Sequence, residues 1–484
     1  IKSWVLKKYR DEKRKPLDIV NGPASSALGF PMSLGLSDPE LAKKLNTAFY
    51  LATPSGPTLH VPVKLEFVFS DGKIQARKTL TFANGFEVRG EVSVFDGQRN
   101  LPVEVAWPGG FGDHSLPPER TMLVDHAVYL AAGSDKTQVV SLTPSFFGNL
   151  FSSEPTPVGG KIDVSGPLAL AGLEDRYFAG IFFPESPEQN FRIQRLPWTP
   201  PDWKGKESER PSPLAAWLVS GASKPLAFRL FVGPKDLDVL RAVNPPLDRL
   251  VDFGWFSFVA RPLFLGMRYI HDHWTHNFGW AIILLTILIN IALFPIKLKQ
   301  IRSAQEMQRV APLVKSIQDK YKGYKLNDPR KQKMNQEMMK LYQEHHINPL
   351  SGCLPMVIQL PFLYGFYKVL DLSIELRHAP WLLWVKDLSA RDPYYILPIV
   401  MTVTMFLLQK MTPMTTADPA QQRMFMLMPL FMGFMFINFA SGLVLYWLTG
   451  NVVGIAQQML MNRFMPKPAP AVPSLPRKAP AKEN

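Results

Sequence analysis

At 484 residues the chain is long enough for two or three domains, and its near-zero mean hydropathy averages a polar first half with a strongly apolar second half. A net charge of +14 suits nucleic acid or anionic lipid, but the basic residues cluster beside apolar runs, which favours a membrane surface and leaves no place for direct DNA binding. The single cysteine, Cys353, excludes an internal disulfide framework and any Cys-based zinc site.

Residues 1–245 show short alternating runs punctuated by Gly, Pro, Asn and Asp, which predicts a β-rich domain. Val61 to Phe69 alternate, Asp71-Gly72 turns the chain, and Ile74 to Phe82 returns as the second arm of a hairpin. Phe86 to Val88, Val92 to Phe95, Lys161 to Val164, Tyr177 to Phe183 and Leu226 to Val232 read as further strands, and a sandwich is the natural closure. Asp113, His114 and His126 read as surface-loop residues, and no metal or cofactor is expected. The topology below puts this half outside the cytosol, so a signal or anchor N-terminal to Ile1 is expected.

Residues 246–276 follow a Pro-rich linker and crowd Phe253, Trp255, Phe256, Phe258, Phe264 and Tyr269 around Pro262. An amphipathic helix lying in the membrane interface fits them. The core, residues 277–463, divides into five apolar spans: Asn277 to Ile296, Cys353 to Leu372, Pro393 to Gln409, Met424 to Phe439, and Leu443 to Met461. The last two, joined by Ala440-Ser441-Gly442, read as a tight helical hairpin. Between the first two spans twelve Lys and Arg stand against five Asp and Glu, which places that loop in the cytosol and the β domain outside.

That loop, residues 297–350, reads as two helices broken near Gly323 and Asp328-Pro329, with Met307, Val310, Val314 and Ile317 as an apolar stripe. Arg302, Arg309, Lys315, Glu337 and Lys340 give it a charged surface for a ribosome, a nascent chain or lipid headgroups. The basic, Pro-rich tail, residues 464–484, falls on the cytosolic side. Within the spans Thr286 and Asn290 are four apart and share one helical face, while Gln359, Thr402, Thr404, Gln409, Asn438, Thr449 and Asn451 add polar groups. Such residues either tie helices together or line a wet groove, and the sequence leaves both open.

Three sets of residues carry a resemblance. These are Asn277-Phe278-Gly279-Trp280 with Thr286 to Pro295; Asn348-Pro349-Leu350-Ser351-Gly352-Cys353-Leu354-Pro355; and Asp387-Leu388-Ser389, Asp392-Pro393 and Ser441-Gly442-Leu443 with Tyr446-Trp447. From about Phe253 to Arg463 the chain resembles the YidC family of membrane protein insertases. The first half resembles the extracytoplasmic domain of its Gram-negative members more weakly. The resemblance implies an all-β supersandwich extracytoplasmic domain followed by an α-helical five-span transmembrane bundle with a cytosolic helical hairpin. The implied location is the inner membrane, with the β domain periplasmic and the C-terminus cytosolic.

It also implies an insertase and chaperone, not an enzyme, that works on nascent membrane proteins in the bilayer, alone or beside a Sec translocon, with the ribosome as a partner. A hydrophilic groove open to lipid would hold the substrate, and Thr286, Asn290, Gln359, Tyr446 and Trp447 are its expected contacts. One departure stands out: where the family commonly carries a groove Arg, this chain has Asn290, which brings donors and an acceptor but no charge. A secondary transporter of a small solute is the competing reading, although no repeated pattern divides the spans into halves. An envelope enzyme using the β domain comes third.

Overall fold

The computed structural model describes residues 1–115, 126–134, 137–141, 160–199, 203, 212–220, 224–324, 328–345, 354–412 and 419–464. The motif residues from Asn348 to Cys353 and the expected tail beyond Phe464 lie outside them. The chain forms two compact units, Ile1–Val251 and Asp252–Asn484.

The first unit is a β-sandwich. Its larger sheet has nine strands in the order Gln138–Ser141, His126–Ala131, Leu168–Glu174, Phe178–Pro184, Leu226–Pro234, Glu87–Phe95, Gln75–Phe82, Val63–Ser70 and Leu51–Thr53. The smaller has five: Lys161–Val164, Asn190–Arg195, Leu214–Val219, Glu104–Trp107 and Ser33–Gly35. Every pairing is antiparallel. The alternation read in the sequence becomes alternating burial, seen most cleanly along Glu87–Phe95. Phe178, Phe191 and Phe228 are fully buried between the sheets and contribute on the order of 2–3 kcal/mol each through removal from water.

The expected hairpin is present, with Ser70 opposite Gln75 and the Asp71 carboxylate accepting from the amides of Lys73 and Ile74. Phe86 to Val88 and Val92 to Phe95, expected as separate strands, belong to one strand, Glu87–Phe95. Gly90 lies between them because the Phe228 ring of the next strand occupies the place a β-carbon would take. The unit also runs past the expected boundary at 245, since Leu247 and Leu250 pack into its core with Phe231 and Leu240.

Asp113 does not sit on a surface loop: it is 2% exposed, and its amide donates to Asp175 Oδ2 at 2.7 Å. Asp175 also accepts from the amides of Tyr177 and Phe178. Beside it Lys235 and Glu174 form a buried ion pair at 3.1 Å. Burial pushes the Asp175 carboxyl upward against the pull of these amides, and pushes the His114 imidazole down to about 4. The Nε2 atom of His114 is enclosed, with no hydrogen-bond partner among the described residues. His126 is half-buried in the His126–Ala131 strand. Asp113 and His114 were misread because a loop beside glycines looks solvated in sequence, whereas Gly110 and Gly112 let this one fold inward over Asp175; His126 was misread because its strand pairs with segments distant in sequence.

The second unit is helical. Helix Ser257–Ile270 carries Pro262, buries Ala260, Leu263, Phe264, Met267 and Ile270 on one side, and leaves Phe258, Leu265 and Tyr269 exposed on the other. After a five-residue π turn the chain bends by 116° into helix Phe278–Ala292. Asn277 caps that helix through the amides of Gly279 and Trp280 and ties its own amide to the Pro380 carbonyl. Gly279 is required there, because Trp381 lies against its backbone where a β-carbon would stand.

Helices Leu354–Leu372, Ile396–Met411, Pro419–Phe436 and Ser441–Phe464 occupy the other expected spans. Among the described residues only Ser441–Phe464 is alone long and apolar enough to cross a bilayer, with the bent pair Ser257–Thr275 and Phe278–Ala292 passing together. The last two helices do not form the expected tight hairpin. Ile396–Met411 packs along both of them instead, while they meet near their junction, where Phe436 and Trp447 lie 5.0 Å apart.

Between the first two spans Phe294–Lys320 and Pro329–Glu344 pair as a helical hairpin, with Met307, Val310 and Val314 buried against Leu313, Met338, Leu341 and Tyr342. Ile317, also read into the stripe, is only half-buried. Asp328 caps the second arm through the Arg330 amide.

Candidate functional site

The Ser441–Phe464 helix organises the site, since Phe278–Ala292, Leu354–Leu372 and Ile396–Met411 all pack on it. Its start is latched by backbone bonds from Ser441 to the Ala390 carbonyl (2.7 Å) and from Gly442 to the Leu388 carbonyl (2.9 Å). Asp392, 1% exposed, accepts from the Trp384 indole and from the amides of Tyr394 and Leu397, which caps Ile396–Met411. The Asp387-Leu388-Ser389, Asp392 and Ser441-Gly442 motifs are therefore the fastening of the bundle at one end of this helix.

Tyr446, Gly450 and Gln457 share one face of the helix. Eleven residues at 100° each come back to within about 20° of the start and climb roughly 16 Å. At one end the Gln359 amide donates to the Tyr446 hydroxyl at 2.8 Å, and Phe366 stacks on the Tyr446 ring at 4.1 Å. At the other end Gln457 Nε2 donates to the Asn290 carbonyl at 3.1 Å, and Lys297 Nζ donates to Asn290 Oδ1 at 2.5 Å and to Gln457 Oε1 at 3.4 Å. A β-carbon at Gly450, between them, would meet nothing within 4 Å among the described residues, which leave the middle of this face open.

The expected contact residues divide accordingly. Thr286 and Asn290 do lie together: Asn290 Nδ2 donates to the Thr286 carbonyl at 2.8 Å, and the Thr286 hydroxyl is spent on the Ile282 carbonyl at 2.6 Å. Gln359 and Tyr446 meet at the other end. Trp447 sits about a quarter turn away and packs on Phe436, apart from the other four. Other polar residues serve as ties. Asn451 reaches the Met401 carbonyl and the Thr404 hydroxyl, and Gln409 reaches the Phe425 carbonyl. Thr402 and Thr449 bond carbonyls of their own helices.

Lys297 and Gln457 were missed. Lys297 was counted only as a topology charge, and the one available signal for Gln457 was its eleven-residue spacing from Tyr446. In the hairpin Arg302, Arg309, Lys315 and Lys340 are exposed. Glu337 instead turns inward to Lys320 at 3.0 Å and to the Tyr321 hydroxyl at 2.8 Å, and the Lys320 bond holds its carboxyl below the usual range.

A β-sandwich unit followed by an apolar helical unit with a polar-ended face defines the class as a large β domain joined to an apolar helical bundle. Two family descriptions match the chain, "YidC periplasmic domain" over residues 1–265 and "60Kd inner membrane protein" over residues 269–468. The membrane protein insertase YidC of Syntrophus aciditrophicus is 35% identical over 480 residues, covering 96% of this chain and 81% of that protein. That of Geotalea daltonii is 48% identical over 255 residues, a match that takes in 53% of this chain and 46% of that protein, about half its length. A crystal structure of an active YidC insertase with its first transmembrane domain resolved aligns over 94% of this chain and 82% of its own, at 18% identity and a TM-score of 0.36. This chain belongs to the YidC family, an inner-membrane family with a periplasmic domain.

Proposed function

We propose that this chain is a membrane protein insertase, in which the open face of the Ser441–Phe464 helix receives the hydrophilic flank of a nascent membrane protein. The observation that carries the reading is the pairing of polar clusters at both ends of that face with space that the described residues leave open at Gly450 between them. A charged residue costs on the order of 3 kcal/mol or more at the bilayer centre, so an open face with polar groups at both ends, roughly 16 Å apart, shortens the apolar barrier that a hydrophilic tail must cross. The substrate's own span then leaves sideways into lipid, driven by about 25 cal/mol per Å² of apolar surface removed from water. The scheme requires no nucleotide.

In this reading the five apolar helices span the membrane, helix Ser257–Ile270 lies in the interface with Phe258 and Tyr269 toward the headgroups, and the Phe294–Lys320 and Pro329–Glu344 hairpin stands in the cytosol. Its exposed Arg302, Arg309, Lys315 and Lys340 suit a ribosome or anionic headgroups, and a Sec translocon is a further expected partner. Site-specific crosslinking to an arrested nascent chain from positions 290, 447 and 450 tests the groove. Adducts from 290 and 450 are expected, and silence at all three positions would overturn it.

A further inference from the structure

The cation at this cluster, Lys297, comes from the helix that follows Phe278–Ala292. Helix Phe278–Ala292 presents Asn290, which is neutral, but the chain breaks at Leu293 and restarts in Phe294–Lys320, whose first turn sends the Lys297 ammonium back to Asn290. The Asn290 amide is oriented for this role. Its nitrogen is committed to the Thr286 carbonyl, so its oxygen must face Lys297. Gln457 adds a second oxygen from the Ser441–Phe464 helix while its nitrogen bonds the Asn290 backbone. Two amide oxygens from two helices thus take two of the three ammonium protons.

The third proton has no acceptor among the described residues, and no carboxylate there pairs with Lys297. A half-buried ammonium held only by neutral oxygens is costly to keep, because amide dipoles compensate lost hydration less well than a counter-charge does. We propose that Lys297 is the specificity-determining cation of the groove and takes a carboxylate of an acidic segment of the passing substrate on its remaining proton, with Asn290 and Gln457 as its positioning residues. Asn290 is then the holder of the charge and not its replacement. A guanidinium at position 290 would stand against Lys297, so Asn290 and Lys297 belong together as a pair.

The inference rests on the insertase reading, and the test separates the two. The full chain is reconstituted in vesicles and offered a single-span substrate whose short translocated tail carries two Asp, or the same tail with two Asn. Lys297→Gln should lower insertion of the Asp tail roughly tenfold, the scale of one lost charged hydrogen bond, and leave the Asn tail within about twofold. Lys297→Arg should keep most of the preference, and Asn290→Arg combined with Lys297→Gln should restore it.

Equal insertion of the Asp tail by parent and Lys297→Gln would overturn the proposal. So would an equal fall for both tails, which would assign Lys297 to packing or to a lipid phosphate. A parent that inserts neither tail would remove the insertase reading itself. Independently of any substitution, carbodiimide coupling in the unaltered protein should join Lys297 Nζ to the arrested Asp tail as an amide, with none formed to the Asn tail. Absence of that link alongside crosslinks from position 450 would also overturn the proposal.

Discussion

Acidification from pH 7 to pH 5 should cost the β-sandwich unit about 2 kcal/mol through His114 alone. Burial depresses its folded-state pKa from 6.5 to about 4, so between those values the unfolded chain binds a proton that the folded chain refuses. Stability from this group is complete above about pH 7, is lost as pH falls below 6.5, and levels off near 4 after a total of roughly 3 kcal/mol. Asp175 works in the opposite sense, since its raised pKa favours the folded form as pH falls. Comparison of the parent with His114→Asn, which keeps Asp175, isolates the histidine. Amide exchange in the Phe178–Pro184 strand reports opening of this unit within the full chain. The parent should lose about 2 kcal/mol of protection between pH 7 and 5 relative to the variant. Parallel pH profiles for the two proteins would refute the assignment of a depressed pKa to His114.

Asp392→Ala strands the Trp384 indole and two amides, and should cost about 3–5 kcal/mol, read as a lower midpoint of thermal unfolding in micelles; Asp392→Asn should recover part of it. Gly279→Val drives a side chain into Trp381 and should destabilise by about 1–3 kcal/mol or more in the same assay, with a blue or red shift of tryptophan emission marking the displaced ring. A double-mutant cycle of Gln359→Leu and Tyr446→Phe should show a coupling of about 0.6–1.5 kcal/mol; additivity would mean that the bond is not made in the membrane. Deletion of residues 1–251 should leave substrate insertion largely intact, whereas an enzyme seated in the β domain would lose its activity.

Much of the architecture was written in periodicity. The hairpin at Asp71-Gly72, the amphipathic Ser257–Ile270 helix and the Met307, Val310 and Val314 stripe were legible because each depends on neighbours within a few residues of one another. Short strands such as Glu104–Trp107 and Asn190–Arg195 were not, because their pairing partners lie far away in sequence. Phe86 to Val88 and Val92 to Phe95 were read as separate strands for the same reason: only the Phe228 ring of a distant strand explains Gly90 between them.

The motifs of the second unit were visible as a family likeness without their physical role. Asp392 proves to be a local fastening, and Ser441 and Gly442 fasten loop to helix across some fifty residues of chain, as from Ser441 to Ala390. The sequence by itself determined that Asn290 shares a face with Thr286, because helical spacing is a local property. It also determined the excess of positive charge next to that span. Only the tertiary structure decided that one of those charges, Lys297, folds back over the break at Leu293 to share Asn290 with Gln457, because a lysine's reach across helices depends on where a third helix stands.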